Sequence, residues 1–121
     1  MKSCQININK EIKILKDLKH NWYWNEGREY SKIELKYISL FLLEFNKHFL
    51  IKNTRVYPTI NNEIELEWCN SLFDISIKFK PRENGFMFCI LDLTTSKYKV
   101  VKIKRNCNWW KNKNLKVLNK F

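Results

Sequence analysis

The sequence predicts an α+β protein, with two N-terminal helices packed on one face of a four- to five-stranded antiparallel meander. In the first half of the chain, apolar residues recur every three to four positions, as on one face of a helix. From Thr54 they recur at every second position, as in strands, and short polar turns separate the alternating segments. With 121 residues, 45% of them hydrophobic, the chain can form one domain with a buried core.

The first helix is predicted over about Lys10–His20, because Ile12, Leu15 and Leu18 fall on one face. Asn9 is expected to cap its N-terminus.

The second helix is predicted to begin at an S-x-x-E capping box formed by Ser31 and Glu34, and to extend to about Phe49–Lys52. A broad apolar stripe along this helix predicts packing on both the first helix and the sheet. The stripe contains Ile38, Phe41, Leu42, Phe45 and Phe49, widened by Ile33, Tyr37 and Leu40.

Five strands are predicted in the second half of the chain, most of them from the alternation of apolar and polar residues. The first is expected at an edge of the sheet or at a bulge, because Pro58 cannot donate a backbone hydrogen bond. The fourth is apolar on both faces and is expected to lie centrally. In the last, the lysines change phase after Val100-Val101, which predicts a β-bulge. The predicted strands are Arg55–Ile60, Glu63–Trp68, Leu72–Lys80, Phe86–Leu93 and Tyr98–Lys104.

Positive charge is concentrated at the C-terminus. The chain has 23 Lys+Arg and 12 Asp+Glu, and segments 1–60, 61–95 and 96–121 carry net charges of +5, −3 and +9. The composition, rich in Lys, Asn and Ile and without Ala, is typical of an A+T-rich coding sequence, which explains part of the lysine excess but not the acidic middle segment. We therefore divide the chain into a single α+β domain, 1–104, and a basic, aromatic C-terminal arm, 105–121, which has the apolar spacing of a short helix.

The C-terminal segment is the first candidate site, for nucleic acid. Basic residues attract phosphates and aromatic faces stack on unpaired bases, a combination that suits single-stranded RNA or DNA, of which we favour RNA. The alternative is that one of the two tryptophans closes the core and the lysines only solubilise the protein. With four arginines in the chain, precise base readout is not expected. The candidate residues are Lys97, Lys99, Lys102, Lys104, Arg105, Trp109, Trp110, Lys111, Lys113 and Lys116, with hydrogen bonds from Asn106, Asn108, Asn112 and Asn114.

The loop between the helices is the second candidate site, for a protein partner. Trp22, Tyr23 and Trp24 are consecutive and cannot all point into one core. Trp22 continues the apolar face of the first helix, so Tyr23 or Trp24 is expected to be exposed, as at interfaces. The alternative is a loop that covers the edge of the sheet.

Catalytic, metal and cofactor sites are not expected. With two glycines the chain cannot form a phosphate-binding loop, and the common catalytic motifs are absent. The four cysteines form no C-x-x-C pair, so we predict no metal and no cofactor, and reduced, mostly buried thiols. A metal-independent ribonuclease remains an alternative. It would use His20 or His48 as base, Glu63 or Glu67 as its partner, and Arg105 or a lysine to hold phosphate.

Several residues resemble a recurring set of small bacterial and mobile-element proteins with an Asn-Trp loop and a Pro…Leu-Glu-Trp hairpin. The pattern includes Asn21-Trp22, Tyr57-Pro-Thr-Ile60 and Ile64-Glu-Leu-Glu-Trp68, with Tyr23 in place of Asp and Asn62 in place of Gly. The resemblance covers about Leu15 to Phe79, and implies the order of two helices and a hairpin but no activity. In kind, this short chain without an enzyme signature is similar to phage and mobile-element proteins directed against host defence, among them anti-CRISPR proteins.

The sequence therefore predicts a cytoplasmic, non-enzymatic basic binding protein that engages RNA or a ribonucleoprotein and has no membrane partner. One form of this function is inhibition of an RNA-guided (CRISPR-Cas) nuclease by a phage or mobile element. The alternatives are a protein-protein module, such as an antitoxin or adaptor, and a small ribonuclease toxin.

Overall fold

Two helices precede a five-stranded antiparallel sheet in the computed structural model, which describes residues 6–24, 26–49, 51 and 53–121. The strands follow one another in the order β1-β2-β3-β4-β5, so the predicted α+β meander is confirmed. No helix in the described ranges has the length and apolar character needed to cross a membrane. The elements are α1 (Ile8–Asp17), α2 (Lys32–His48), β1 (Arg55–Pro58), β2 (Ile64–Cys69), β3 (Phe73–Phe79), β4 (Gly85–Asp92), β5 (Lys97–Lys104) and two 3₁₀ helices (Trp109–Lys111 and Lys113–Lys120).

Helix α1 begins and ends earlier than predicted. Asn7, and not Asn9, is the N-cap, because its side chain accepts a hydrogen bond from the backbone N–H of Lys10 at 3.2 Å. The helix ends at Asp17 because Leu18 has extended backbone angles. The inward-facing position was predicted correctly, since Leu15 is buried in the core.

Helix α2 begins at the predicted capping box and ends at His48. The centre of its apolar stripe is buried, with Phe41 and Phe45 in the core. The prediction that the wider stripe is also covered is wrong, because Ile33, Tyr37 and Leu40 are 40–47% exposed. Helix α1 has ten residues against the seventeen of α2, so it covers only part of that surface.

The core lies between α2 and one face of the sheet. Phe41 stacks on Phe79 with ring centroids 4.2 Å apart, and Phe45 stacks on Trp68 at 5.6 Å. The opposite face is open to solvent and carries the exposed side chain of Tyr57.

The pairing of β4 with β5 is continuous from Gly85↔Lys104 to Asp92↔Lys97, so the predicted bulge is wrong. The phase change has another cause: Lys99 lies on the same face as Val101, and its Nζ donates to Asn114 Oδ1 at 3.0 Å. The lysine therefore reaches the C-terminal segment without a break in the ladder. Strand β4 is internal, as its two apolar faces suggested, but β3 is the central strand.

Residues 105–121 pack against the domain and do not form a separate arm. Trp109, Leu115 and Leu118 belong to the same hydrophobic core as the inward faces of the sheet and α2. The predicted terminal helix is a 3₁₀ helix, whose three residues per turn align Leu115, Leu118 and Phe121 along one side.

The turn between β1 and β2 is fastened to the loop that precedes α2. The Tyr30 hydroxyl donates to Glu63 O at 2.7 Å and accepts from the backbone N–H of Thr59 at 3.1 Å. Asn62 Nδ2 donates to Glu29 O at 2.9 Å. Asn62 has φ +60°, a left-handed conformation that Asn tolerates, so it can stand where the resembled pattern has Gly.

Candidate nucleic-acid interface and aromatic loop

The structure leaves the predicted lysines available to an anion. All seven are exposed, and among the described residues none of them forms an ion pair with a carboxylate. Segment 93–121 contains no Asp or Glu. The seven are Lys97, Lys99, Lys102, Lys104, Lys111, Lys113 and Lys116.

Three of these lysines line one groove of about 330 Å³ between β5 and the first 3₁₀ helix. The rest of the lining consists of three asparagines and parts of two core residues, with no carboxylate. Lysine ammonium groups and asparagine amides are both hydrogen-bond donors to phosphate oxygens. The lining residues are Lys102, Ile103, Lys104, Asn106, Asn108, Trp109, Lys111 and Asn112.

The groove lies beside the free edge of β5. Arg105 N donates to Asn84 O at 3.5 Å, continuing the ladder beyond the strand. Because hydrogen-bonded and non-hydrogen-bonded pairs alternate in an antiparallel ladder, the N–H groups of Lys102 and Lys104 point away from β4. These residues therefore offer both ammonium groups and unpaired backbone donors to an anion.

The predicted phosphate-binding role of Arg105 is wrong, because this side chain is used inside the protein. Its Nη2 lies 3.7 Å from Glu44 Oε1, and its guanidinium lies over the rings of Phe41 (5.5 Å) and Phe79 (5.4 Å). The side chain is only 21% exposed. Arg105 therefore stabilises the packing of the C-terminal segment on α2.

The prediction that tryptophans stack on bases is wrong for Trp109 and stays a prediction for Trp110, which is half-buried. Trp109 is buried among aromatic rings, and its Nε1 donates to Glu44 Oε1. Trp110 stacks on His48 with centroids 3.7 Å apart and planes 7° from parallel. The alternative interpretation, that one of the two tryptophans closes the core, is therefore correct for Trp109.

The aromatic loop exposes two of its three predicted interface residues. Tyr23 and Glu26 exchange two backbone hydrogen bonds of 2.9 and 2.6 Å, which close a tight hairpin. Trp24 lies in the turn with φ +48° and is 84% exposed, while Tyr23 is 51% exposed. Few residues as bulky as Trp occupy this backbone region, and strained positions concentrate at functional sites.

Trp22 belongs to the scaffold of the hairpin. Its Nε1 donates to Arg28 O at 3.2 Å. Gly27 has φ +92°, and a Cβ there would lie 2.6 Å from Trp22 Nε1, so only glycine fits beneath the indole. The loop is therefore held from its base.

The ribonuclease alternative stays a prediction, and the described structure gives contacts for two of its candidate residues. Helix α1 starts beside the end of α2, where Ile6 and Asn46 exchange two hydrogen bonds of 3.1 and 2.9 Å. His48, at that end of α2, stacks on Trp110. Glu67 lines a cleft with Arg55 and Cys69 and without histidine.

Within residues 6–24, 26–49, 51 and 53–121, no three His, Cys, Asp or Glu side chains lie close enough together to hold a metal ion. Cys69 and Cys107 are exposed and Cys89 is buried, so the prediction of mostly buried thiols is wrong for the first two. Cys4 lies outside the described residues.

Two functional features were missed by sequence reasoning. Glu44 holds both Trp109 and Arg105, and its only signal was a carboxylate within an apolar stretch. Residues 57–60 border the aromatic hairpin, which no local pattern could indicate because the two segments are more than thirty positions apart.

No family model matches the chain, and neither a curated protein nor a solved structure matches it significantly. The inference of function is therefore based on the charge and geometry of the described surface.

Proposed function

We propose that this chain is a non-enzymatic binding protein whose β5 edge and C-terminal 3₁₀ helices engage RNA, either free or within a ribonucleoprotein. The observation that carries this proposal is the groove formed by Lys102, Lys104 and Lys111. It combines three uncompensated cations with asparagine donors in a segment without acidic residues.

The proposed mode of binding is contact with phosphates and not stacking on bases. Tyr98, at 62%, is the one aromatic side chain of residues 97–121 that is more than a third exposed. Lysine acts as a point charge and lacks the planar fork with which arginine reads guanine. Binding is therefore expected to depend strongly on salt and weakly on base sequence, without the single-strand preference that exposed tryptophans would confer.

The test is a charge reversal with a matched control. We would compare the triple variant Lys102→Glu/Lys104→Glu/Lys111→Glu with a second triple variant that reverses three exposed helix lysines. Both variants change the net charge equally, so they separate a local site from general attraction. The control substitutions are Lys10→Glu, Lys13→Glu and Lys36→Glu.

Affinity would be measured by anisotropy with labelled 20-nucleotide RNA at low salt. The groove variant should lose about tenfold or more in affinity, and the control less than about threefold. Equal losses in both variants, or no loss in the groove variant, would contradict a site at β5. Circular dichroism would confirm that both variants are folded.

The expectation of an RNA-guided nuclease as target can be examined with the same pair of variants. If the protein occupies a guide RNA, cleavage by the nuclease should fall on addition of the wild-type protein and of the helix-lysine control. The groove variant should not inhibit. Inhibition by all three proteins would place the contact elsewhere.

A further inference from the structure

A second groove, of about 430 Å³, lies at the opposite edge of the sheet from the lysine groove. Trp22 and Tyr23 form one wall, and β1 and the residues after it form the other. Its lining is predominantly apolar, and Trp24 extends the aromatic surface because its ring lies 6.4 Å from that of Tyr23. The lining residues are Trp22, Tyr23, Tyr57, Pro58, Thr59 and Ile60.

The two walls are tied together below the groove. Tyr30, which follows the hairpin, bonds to Thr59 and Glu63 on the β1–β2 side. Asn62 bonds to Glu29 O from the same turn. The groove is therefore preformed, which lowers the entropic cost of binding.

The β1 wall also presents unpaired backbone groups. Thr59 N donates to Glu63 O at 3.2 Å, so the alternation of the ladder places Val56 and Pro58 at positions that do not bond to β2. The N–H and C=O of Val56 and the C=O of Pro58 therefore point outward from the sheet. An extended chain can pair with such an edge, while the missing N–H of Pro58 limits the pairing to a short stretch.

Two glutamates are cross-strand neighbours of the tyrosines that line this groove. Glu26 pairs with Tyr23 in the hairpin, and Glu65 is the cross-strand neighbour of Tyr57. Glu63 and Glu29 contribute only backbone carbonyls to the fastening described above. The nearby cations are Lys78, the other cross-strand neighbour of Glu65, and Arg28 of the hairpin segment 21–30. The two glutamates repel phosphates and attract cationic side chains.

We propose that this groove binds an extended segment of a partner protein in which an apolar side chain lies next to Lys or Arg. The apolar side chain would enter between Tyr23 and Tyr57. The cation would meet Glu26 or Glu65, and the backbone of the segment would pair with Val56. This site is separate from the proposed RNA surface and does not depend on it.

The probe is a phage-displayed library of random linear heptapeptides, selected against the wild-type protein. Selected peptides would be synthesised, labelled and titrated by anisotropy against Trp24→Ser/Tyr57→Ser and against Glu26→Lys/Glu65→Lys. We expect enrichment of Lys or Arg beside an apolar residue, and losses of about tenfold or more in both double variants. The matched control is Tyr98→Ser, which removes an exposed aromatic at the other edge and should change affinity less than about twofold.

Four results would overturn the proposal. One is selection of peptides without basic enrichment, and another is equal affinity for wild-type protein and both double variants. A third is displacement of the labelled peptide by 20-nucleotide RNA from the Lys102→Glu/Lys104→Glu/Lys111→Glu variant. That result would show that the aromatic groove itself binds RNA. The fourth is a concentration-dependent dimer in sedimentation that Trp24→Ser/Tyr57→Ser abolishes, which would make a second copy the occupant.

Discussion

The two edges of the sheet meet solvent with opposite chemistry. Strand β5 has eight residues, and its edge carries exposed lysines in a segment without acids. Strand β1 has four residues, and its surroundings carry carboxylates and the exposed aromatic rings of Tyr23, Trp24 and Tyr57. The lysine-rich segment instead buries Trp109 in the core and stacks the half-buried Trp110 on His48. Stacking on single-stranded bases needs cations and aromatic faces on one surface, and Tyr98 is the one exposed aromatic residue beside the β5 lysines.

The two proposals assign a different kind of partner to each edge. The β5 edge suits a polyanion held through phosphates, and the β1 edge suits a cationic peptide. The edges are separated by four strand spacings, about 19 Å. If both proposals hold, the protein can connect an RNA with a protein.

The largest expected effect distinguishes the buried tryptophan of the β5 side from the exposed one of the β1 side. Trp109→Ala should lower the free energy of unfolding by about 3–5 kcal/mol, because it opens a cavity among the core rings. Trp24→Ala should change it by less than about 0.5 kcal/mol. Urea unfolding measures both, and similar losses would show that the two tryptophans are not divided between core and surface.

The next effect tests how β1 is fastened. Tyr30→Phe removes the hydroxyl that bonds to the backbone of Thr59 and Glu63, which keep their hydrogen bond to each other, at a cost of about 0.5–1.5 kcal/mol. Tyr98→Phe at the β5 edge is the matched control and should be nearly neutral. Burial raises the pKa of Tyr30 to about 12, so its absorbance titration should be delayed well beyond that of an ordinary tyrosine. A Tyr30 that titrates near pH 10 would contradict the buried hydroxyl.

A smaller effect concerns acid stability at the same end of the sheet. Burial of Glu34 favours its neutral form, but hydrogen bonds from Ser31 and Asn62 outweigh burial and hold its pKa below the ordinary value of 4.5. The stabilisation is therefore present above about pH 4.5 and is lost as the pH falls through the lower folded-state pKa. The Tm difference between wild type and Glu34→Gln should accordingly shrink on acidification below pH 4.5. A Tm difference that does not change with pH would show that the ionised carboxylate of Glu34 does not provide this stabilisation.

The smallest effect is an increase in stability. Trp24→Asn replaces a bulky residue at φ +48° with one that tolerates this conformation, and should raise stability by up to about 1 kcal/mol. The same variant should bind the selected basic peptides less tightly than the wild-type protein. We therefore expect Trp24→Asn to be more stable than the wild-type protein and to bind the peptides less tightly. A loss of stability in this variant would argue against backbone strain at Trp24.

The sequence predicted the features that depend on local patterns. The capping box of α2, the alternation of β2 and β3 and the exposure of Trp24 each follow from residues close together in the chain. The roles of Arg105 and Trp109 did not follow, because both depend on Glu44, which is more than sixty positions away. The composition of the C-terminal segment predicted a basic, aromatic surface, whereas packing buries Trp109 and leaves the lysines exposed.

The most direct test of the central claim is the salt dependence of RNA binding. Affinity for a 20-nucleotide RNA would be measured from 50 to 200 mM salt for the wild-type protein and for Lys102→Gln/Lys104→Gln/Lys111→Gln. If the three lysines contact phosphates, the slope of log K against log salt should become shallower by about 2 for a single strand. An unchanged slope, with RNA still bound, would show that the phosphates are held elsewhere and would contradict the assignment of the β5 edge.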